Sequence, residues 1–399
     1  MKQGKFSPAL GFLILSLTLT LSCPSGIAAT KFEQLNQQAE NFYKTRNYPE
    51  AEKTFQQALK EAEKLDTGDK RVATTVYNLA LCQQAQSNYA EAGKNMSKAI
   101  DMMTVAYGAE HQRVAQVYMD LADLYLEEAG QESKPELKVK AVENYKKGID
   151  IFEKIYSQAS GQEDDAGKPD PGAGGKGAKK SSANTPADTA ADLSNALRLL
   201  ADFHAQEENY DQAEPLYKRS LELEEFSTGP ETKDIAKHKA KFAEFYCVQA
   251  KYRSAEPLFK DALAIHEKTD PNSIDTANLL YNYGGLFYDQ AMFGDAEVMF
   301  KRAIKIFSDD PDQNESDIAQ KNIALADVMD RQGKIEDSEK IYKKSMDSLE
   351  KLEDKSPLIR CLKQYQQHLL MQNKKEEANK VLARIKELKG KSPKAQASQ

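Results

Sequence analysis

Small and bulky apolar residues alternate along this chain at helical spacing, inside a longer period. One series of small residues runs Ala51, Ala92, Ala141, Ala213, Ala255, Ala296, Ser338 and Ala378. A second runs Ala39, Ala80, Ala201, Ala243, Gly284 and Ala326, with Gln366 in the last place, each twelve residues ahead of a member of the first. In the third unit the partner is Ala122, nineteen residues ahead of Ala141. Away from that unit, successive members of the first series lie 40 to 42 residues apart. Such a period is the mark of a repeat array. Two helices approach to about 8 Å only where small side chains meet. Large residues then fill the flanks. Four residues after the first series, one helical turn on, stand Phe55, Met96, Tyr145, Tyr217, Phe259, Phe300, Tyr342 and Leu382. Three residues before it stand Tyr48, Tyr89, Tyr210, Tyr252, Phe293 and Ile335. The pattern predicts eight helical hairpins, an all-α chain in which the aromatics are core.

Departures from the period set the boundaries. The third unit carries seven extra residues in its turn, around Gly130-Gln131-Glu132-Ser133-Lys134-Pro135. From Ser157 the chain turns to Gly, Pro, Ala, Ser and Lys with no apolar periodicity, as far as Thr189. A segment of that kind buries too little surface to offset its ordering entropy. It is expected to be disordered, as a loop on the array's edge or as a linker between sub-arrays of three and five repeats. The expected organisation is repeats over 30–156, the linker over 157–188, repeats over 189–388 and a polar tail over 389–399. The last unit is polar at Gln366 and Lys375, which suits a terminal cap. Pro215 and Pro257 oppose helix propensity, since an interior proline forfeits a hydrogen bond and costs about 3 kcal/mol. The helix assignment is kept over both.

Particular motifs carry a resemblance. Tyr77-Asn78-Leu79-Ala80 and Tyr281-Asn282-Tyr283-Gly284 look like a first-helix motif, and Ala213-Glu214-Pro215-Leu216-Tyr217 and Ala255-Glu256-Pro257-Leu258-Phe259 like a second-helix motif. Tyr107-Gly108-Ala109-Glu110-His111-Gln112-Arg113-Val114-Ala115 and Gly229-Pro230-Glu231-Thr232-Lys233-Asp234-Ile235-Ala236 look like the turn into the next repeat. Together they resemble the tetratricopeptide repeat (TPR), most closely its kinesin-light-chain-like subtype. The resemblance covers nearly all of residues 31–388 apart from the insertion. It implies an α-solenoid of about eight hairpins wound as a superhelix, proline tolerated at the second-helix position, and a scaffold rather than a shared reaction.

Composition and charge narrow the function further. The net charge is −7 and no Lys/Arg run dominates. Nucleic acid is therefore a poor partner, because phosphate binding needs concentrated positive charge. At the start, Lys2 and Lys5 precede an apolar run from Ala9 to Leu21, too short to span a bilayer, and then small residues at Gly26-Ile27-Ala28-Ala29. Residues 1–29 read as a cleaved secretory signal, which predicts export to a periplasm, an envelope surface or the exterior, with no transmembrane span after cleavage. Lipid attachment at Cys23 and retention as an uncut anchor are the alternatives. Cys82, Cys247 and Cys361 fall on different repeats and read as small buried residues rather than a disulfide framework.

Motifs for chemistry fail on context. Gly172, Gly174 and Gly177 spell a dinucleotide fingerprint but sit in the linker composition, beside Pro169 and Pro171, without a preceding strand. Asp310, Asp312 and Asn314 begin like a calcium loop, but Glu315 replaces the required Gly and Lys321 the bidentate Glu. The five histidines, His111, His204, His238, His266 and His368, show no metal-ligand spacing, and His204 falls on the core side of its helix. No catalytic residue and no cofactor is assigned. What remains is the groove lined by the first helices. On these, positions six and three before the small residue, and one and four after it, point away from the partner helix. That selects Thr74 and Tyr77; Asn195, Arg198 and Asp202; Asn278, Tyr281 and Tyr288; and Gln320, Asp327 and Arg331. Tyr and Arg dominate interface energetics and Asn can bond a peptide backbone. The signs are mixed, so the basic clamp by which some TPR proteins grip a terminal carboxylate is not evident. The function expected is a non-catalytic interaction scaffold for a protein or peptide. A self-associating structural protein is the alternative, and a small-ligand sensor or enzyme with a site between repeats is a further one.

Overall fold

A computed structural model describes residues 30–62, 69–132, 134–166, 185–310 and 313–390. The expected signal segment with Cys23, the polar tail beyond Gly390 and the glycine fingerprint at Gly172, Gly174 and Gly177 lie outside the described residues. Among the described residues there are sixteen α-helices and no strand. They fall into two compact units. The first ends at Thr228 and holds α1 (Lys31–Lys44), α2 (Tyr48–Ala62), α3 (Lys70–Ala85), α4 (Tyr89–Tyr107), α5 (Gln112–Glu132), α6 (Pro135–Ala166), α7 (Pro186–Gln206) and α8 (Tyr210–Thr228). The second begins at Gly229 and holds α9 (Lys233–Val248), α10 (Tyr252–Thr269), α11 (Ile274–Asp289), α12 (Phe293–Asp309), α13 (Glu315–Arg331), α14 (Ile335–Glu350), α15 (Ser356–Met371) and α16 (Lys375–Gly390).

In each unit the odd helix packs against the even helix that follows it, and each hairpin packs on the next. The small-residue seams are the contact lines. Ala39, Ala51, Ala80, Ala92, Ala201, Ala213, Ala243, Ala255, Ala296, Ala326 and Ala378 are wholly buried. Gly284 shows how tight the seam is: a Cβ there would lie 2.8 Å from the Phe300 ring. Phe55, Met96, Tyr145, Tyr217, Phe259, Phe300 and Tyr342 are buried beside the seams, as the spacing predicts. Gln366 is half-buried, so the last hairpin keeps a polar seam position.

Seven hairpins turn through one left-handed residue: Arg46, Ser87, Glu208, Ala250, Ala291, Gly333 and Asn373, with φ between 56° and 77°. The next N–H then bonds back over the helix end, as in Asn47 to Phe42 at 2.8 Å and Met292 to Phe287 at 2.9 Å. This satisfies a terminal carbonyl that the helix leaves open. Entry into first helices is set by side-chain caps. Thr30 and Thr185 form capping boxes with Glu33 and Asp188, and Asp69, Thr232, Ser273 and Asn314 also accept from the helix N-terminus. Asn314, one of the calcium-loop suspects, therefore serves as a helix cap; Asp312 lies outside the described residues.

Two boundaries differ from expectation. α6 runs past Tyr156 to Ala166, and α7 already starts at Pro186, so part of the expected linker is helix. The capping box at Thr185 and proline at the first turn explain the early start of α7. In addition, α6 packs directly on α7, and the division between units falls after α8. The glycine- and lysine-rich segment interrupts the first unit rather than separating two arrays. The remainder of that segment, 167–184, lies outside the described residues. Pro215 and Pro257 lie inside α8 and α10, which continue through them.

Candidate functional site

In the second unit, α11, α13 and α15, with Phe300 of α12, line an open cleft of about 710 Å³. Its floor is apolar, from Tyr281, Phe300, Ile323 and Ala324. Tyr281 packs on Phe300 with ring centroids 4.9 Å apart, and burial raises its phenol above the usual range. Cations line it from α13 and α15. Lys321 lies 4.4 Å from the Phe307 ring centroid and 5.8 Å from that of Tyr281. Arg360 donates to Gln320 Oε1 at 2.6 Å, which ties α15 to α13, and Lys363 is exposed. The carboxylates Asp289 of α11 and Asp327 of α13 line it as well. The Tyr288 hydroxyl donates to Asp327, linking α11 to α13, and burial together with that carboxylate pushes Tyr288 up to about 12. An apolar floor with convergent polar groups is the usual form of a binding cleft.

The first unit holds a smaller, acidic cavity of about 30 Å³ between α5 and α7, lined by Gln116, Asp120, Asp123, Asp192 and Asn195 with Met119 and Phe152. Its carboxylates are held by neutral donors. Tyr77 donates to Asp120 at 2.5 Å, Gln116 to Asp120 at 3.1 Å, Tyr145 to Asp123 and Gln112 to Asp192. Burial pushes Asp120 up to about 6 and Asp123 up to about 7, and raises Asp192. The hydrogen bonds oppose this shift and do not cancel it.

Tyrosine-to-aspartate bonds recur with the repeat. Asp123, Asp202 and Asp327 each follow the small residue of a first helix by one position. They accept from Tyr145, Tyr217 and Tyr288. Tyr145 and Tyr217, aromatics that clamp the seam, find the partner a tyrosine hydroxyl needs within their own hairpin; Tyr288, on the first helix α11, finds it on the first helix of the next hairpin.

The sequence-selected residues divide accordingly. Tyr281, Tyr288, Gln320 and Asp327 are brought together in the cleft of the second unit. Asn278 and Arg331 are exposed outside that lining, Arg331 with its Nε 4.0 Å from Asp327. Arg331 stands five positions past Ala326; the residue four past it is Asp330, which is buried. Asn195 and Arg198 lie by the acidic cavity, where Arg198 donates to Asn195 at 2.7 Å and to Asp202 at 3.0 Å. Thr74 and Tyr77 are a correction: they are 1% and 3% exposed. Thr74 bonds its own helix at Lys70, and Tyr77 reaches Asp120 on α5. α3 packs on α2 of the preceding hairpin as well as on its partner α4, and Tyr77 is also met from α5. Arg360 and Lys363 were missed although they stand six and three positions before Gln366. The same register applied to Ala122 yields Gln116, Met119 and Asp123.

One cluster combines the residue types of a catalytic triad without its geometry. Ser338, His368 and Asp330 meet, but both oxygens face the same ring nitrogen. His368 Nδ1 is 2.7 Å from Asp330 Oδ1 and 3.3 Å from Ser338 Oγ, while Nε2 faces Gln372. A charge-relay triad needs the serine and the aspartate on opposite nitrogens, and His368 is fully buried. Burial pushes the Cys82 and Cys361 thiols up to about 12 and Cys247 up to about 11, the direction of unreactive thiols. Cys247 is half-buried, against the expectation of full burial. His204 is buried, in agreement with its register. Among the described residues no cluster of three His, Cys, Asp or Glu side chains could hold a metal, and no helix is long and apolar enough to cross a membrane.

Comparison with known proteins addresses the repeat unit itself. No curated protein matches the chain in sequence. Among solved structures, the TPR-sensor STAND ATPase of Pyrococcus horikoshii superposes with a TM-score of 0.57 at 15% identity, over 89% of this chain and 46% of that one. The apo quorum sensor NprR of B. thuringiensis gives 0.53 at 13% identity, over 90% and 87%. BtubC (BKLC) of P. vanneervenii gives 0.48 at 18% identity, over 66% and 90%. Family models described as tetratricopeptide repeat match residues 36–102, 71–134, 196–230 and 234–309. These matches together span more than half of the chain and coincide with the hairpins and their buried seams, so the chain belongs to the tetratricopeptide-repeat family.

Proposed function

We propose that this protein is an exported, non-catalytic scaffold that captures a protein or peptide segment in the cleft formed by α11, α13 and α15. TPR proteins bind protein partners and are generally scaffolds, which sets the class. The observation that carries the finer reading is the cleft itself. The apolar residues Tyr281, Phe300 and Ile323 line it together with the cations Lys321, Arg360 and Lys363 and the carboxylates Asp289 and Asp327. An extended segment would gain apolar contact from the first group and register from the charged groups of both signs. The test places a photo-crosslinking amino acid at Gln364 or Gln320 in the cleft, and at Lys305 on α12 as control. Crosslinking of one common partner from positions 364 and 320 and not from 305 is the expected result. Equal yield from 305 would remove the cleft as the binding face.

The proposal of export rests on the basic start, the short apolar run and the small residues at the end of residues 1–29. Mass analysis of the mature N-terminus decides it. A chain beginning near Ala29 supports a cleaved signal, a lipid on Cys23 supports an anchored form, and an intact Met1 in the cytoplasmic fraction would overturn export.

A further inference from the structure

Two of the helices that line the cleft, α13 and α15, are joined by a buried polar cluster that the binding reading leaves unused. Asp330 lies on α13, three residues past the lining residue Asp327; His368 lies on α15, four residues past Gln364. Both side chains are essentially inaccessible, with His368 at 0% and Asp330 at 1%. His368 Nδ1 meets Asp330 Oδ1 at 2.7 Å. Ser338 on α14 donates to the same oxygen and sits 3.3 Å from the same ring nitrogen. The ring is stacked on Tyr365 at 5.5 Å and packed on Tyr342 at 5.4 Å, and Gln372 closes its far side at 2.5 Å. Glu339 lies 3.9 Å from Nε2, itself held by Lys343 and Lys374.

Asp330 Oδ2 is buried there without a hydrogen-bond partner, so the cluster depends on the bonds that His368 and Ser338 make to Oδ1, and losing them would leave a buried carboxylate wholly unpaired. Those bonds favour one separation and rotation of α15 against α13. The bonds that tie α13 to α11 and α15 elsewhere, Tyr288 to Asp327 and Arg360 to Gln320, lie at the cleft surface, where solvent competes. The last hairpin also has the half-buried Gln366 where other first helices place an alanine or glycine, so its apolar seam specifies position less strongly.

We infer that Asp330, Ser338 and His368 form a clasp that positions α15 and so sets the width of the binding cleft. The inference rests on the cleft reading for its functional meaning, but its test needs no partner. Nitroxides are placed on Asp317→Cys and Lys363→Cys, at exposed positions of α13 and α15, in full-length protein carrying Cys23→Ser and Cys247→Ser. The dipolar distance distribution should be narrow in the parent. Asp330→Ala and His368→Phe should at least double its width. Asp330→Asn, whose amide oxygen still accepts from Nδ1–H, should restore the parent width. Ile306→Ala, a core truncation on α12, should leave it unchanged. Parent width in both Asp330→Ala and His368→Phe, or equal broadening in Ile306→Ala, would overturn the clasp. If either clasp variant does not fold, Ser338→Ala takes its place, with broadening in support and parent width against. Failure of crosslinking from positions 364 and 320 with the distances moving as stated would remove the binding reading and leave the clasp.

Discussion

Single side chains in this protein carry two jobs that the register separates by one position. Asp123 and Asp202 are on the face turned away from the hairpin seam, yet each accepts a tyrosine hydroxyl from the aromatic clamp. Asp123 is held at about 7, well above its ordinary value, so its charged form is disfavoured in the fold relative to the unfolded chain. The sign follows directly: protonation favours the fold, and stability falls as pH rises from about 4 through 7. Asp123→Asn removes the charge and keeps an acceptor for Tyr145. It should stabilise the protein by on the order of 1 kcal/mol at pH 8 and by much less at pH 4, read by urea denaturation at both values. A loss of stability at pH 8 would show that the carboxylate is compensated. Gly284 gives the opposite case. Gly284→Ala puts a methyl against Phe300 and should cost about 1–3 kcal/mol, measurable as a lower denaturation midpoint; an unchanged midpoint would mean that the seam has slack. Both positions were partly legible. The smallness of position 284 was plain from the period, while the pairing of tyrosine with aspartate emerges only when the two helices are seen together.

At the scale of the hairpin, sequence and structure agree where the physics is local and periodic. Small seams, aromatic flanks and cap residues act within a turn or two, so helix positions could be read from spacing. The left-handed turn residue could not, because six of the seven positions are not glycine. Gly333 is the exception, with φ 77°. Gly333→Ala should cost about 1 kcal/mol, since a side chain in that conformation is strained; calorimetry checks it, and an unaltered melting temperature would mean that the turn relaxes. Contacts between neighbouring hairpins were likewise hidden. Thr74 and Tyr77, which the single-helix register placed on open surface, are buried, and Tyr77 bonds Asp120 on α5. The capping box at Thr185 was another local signal passed over, because the surrounding composition reads as linker. Thr185→Ala should destabilise the first unit by about 1 kcal/mol. Faster amide exchange over the first turn of α7 is the accompanying observation, and unchanged exchange there would argue against the cap.

At the scale of the molecule, the repeat period accounts for the sixteen helices of the described residues, and the register accounts for much of the cleft. Tyr281, Tyr288, Gln320 and Asp327 were selected from it, and Arg360 and Lys363 fit the same rule once the last repeat is treated as lining rather than only as cap. The family explains why a chain of this kind presents a cleft and does not specify what fills it. The central claim, that the α11–α13–α15 cleft is where a protein partner binds, is tested most directly by affinity. The partner crosslinked from the cleft is titrated calorimetrically against the parent and against Tyr281→Ala combined with Lys363→Ala. A loss of tenfold or more, about 1.4 kcal/mol, with unchanged helical circular dichroism is the predicted result; unchanged affinity in the double variant would contradict the account.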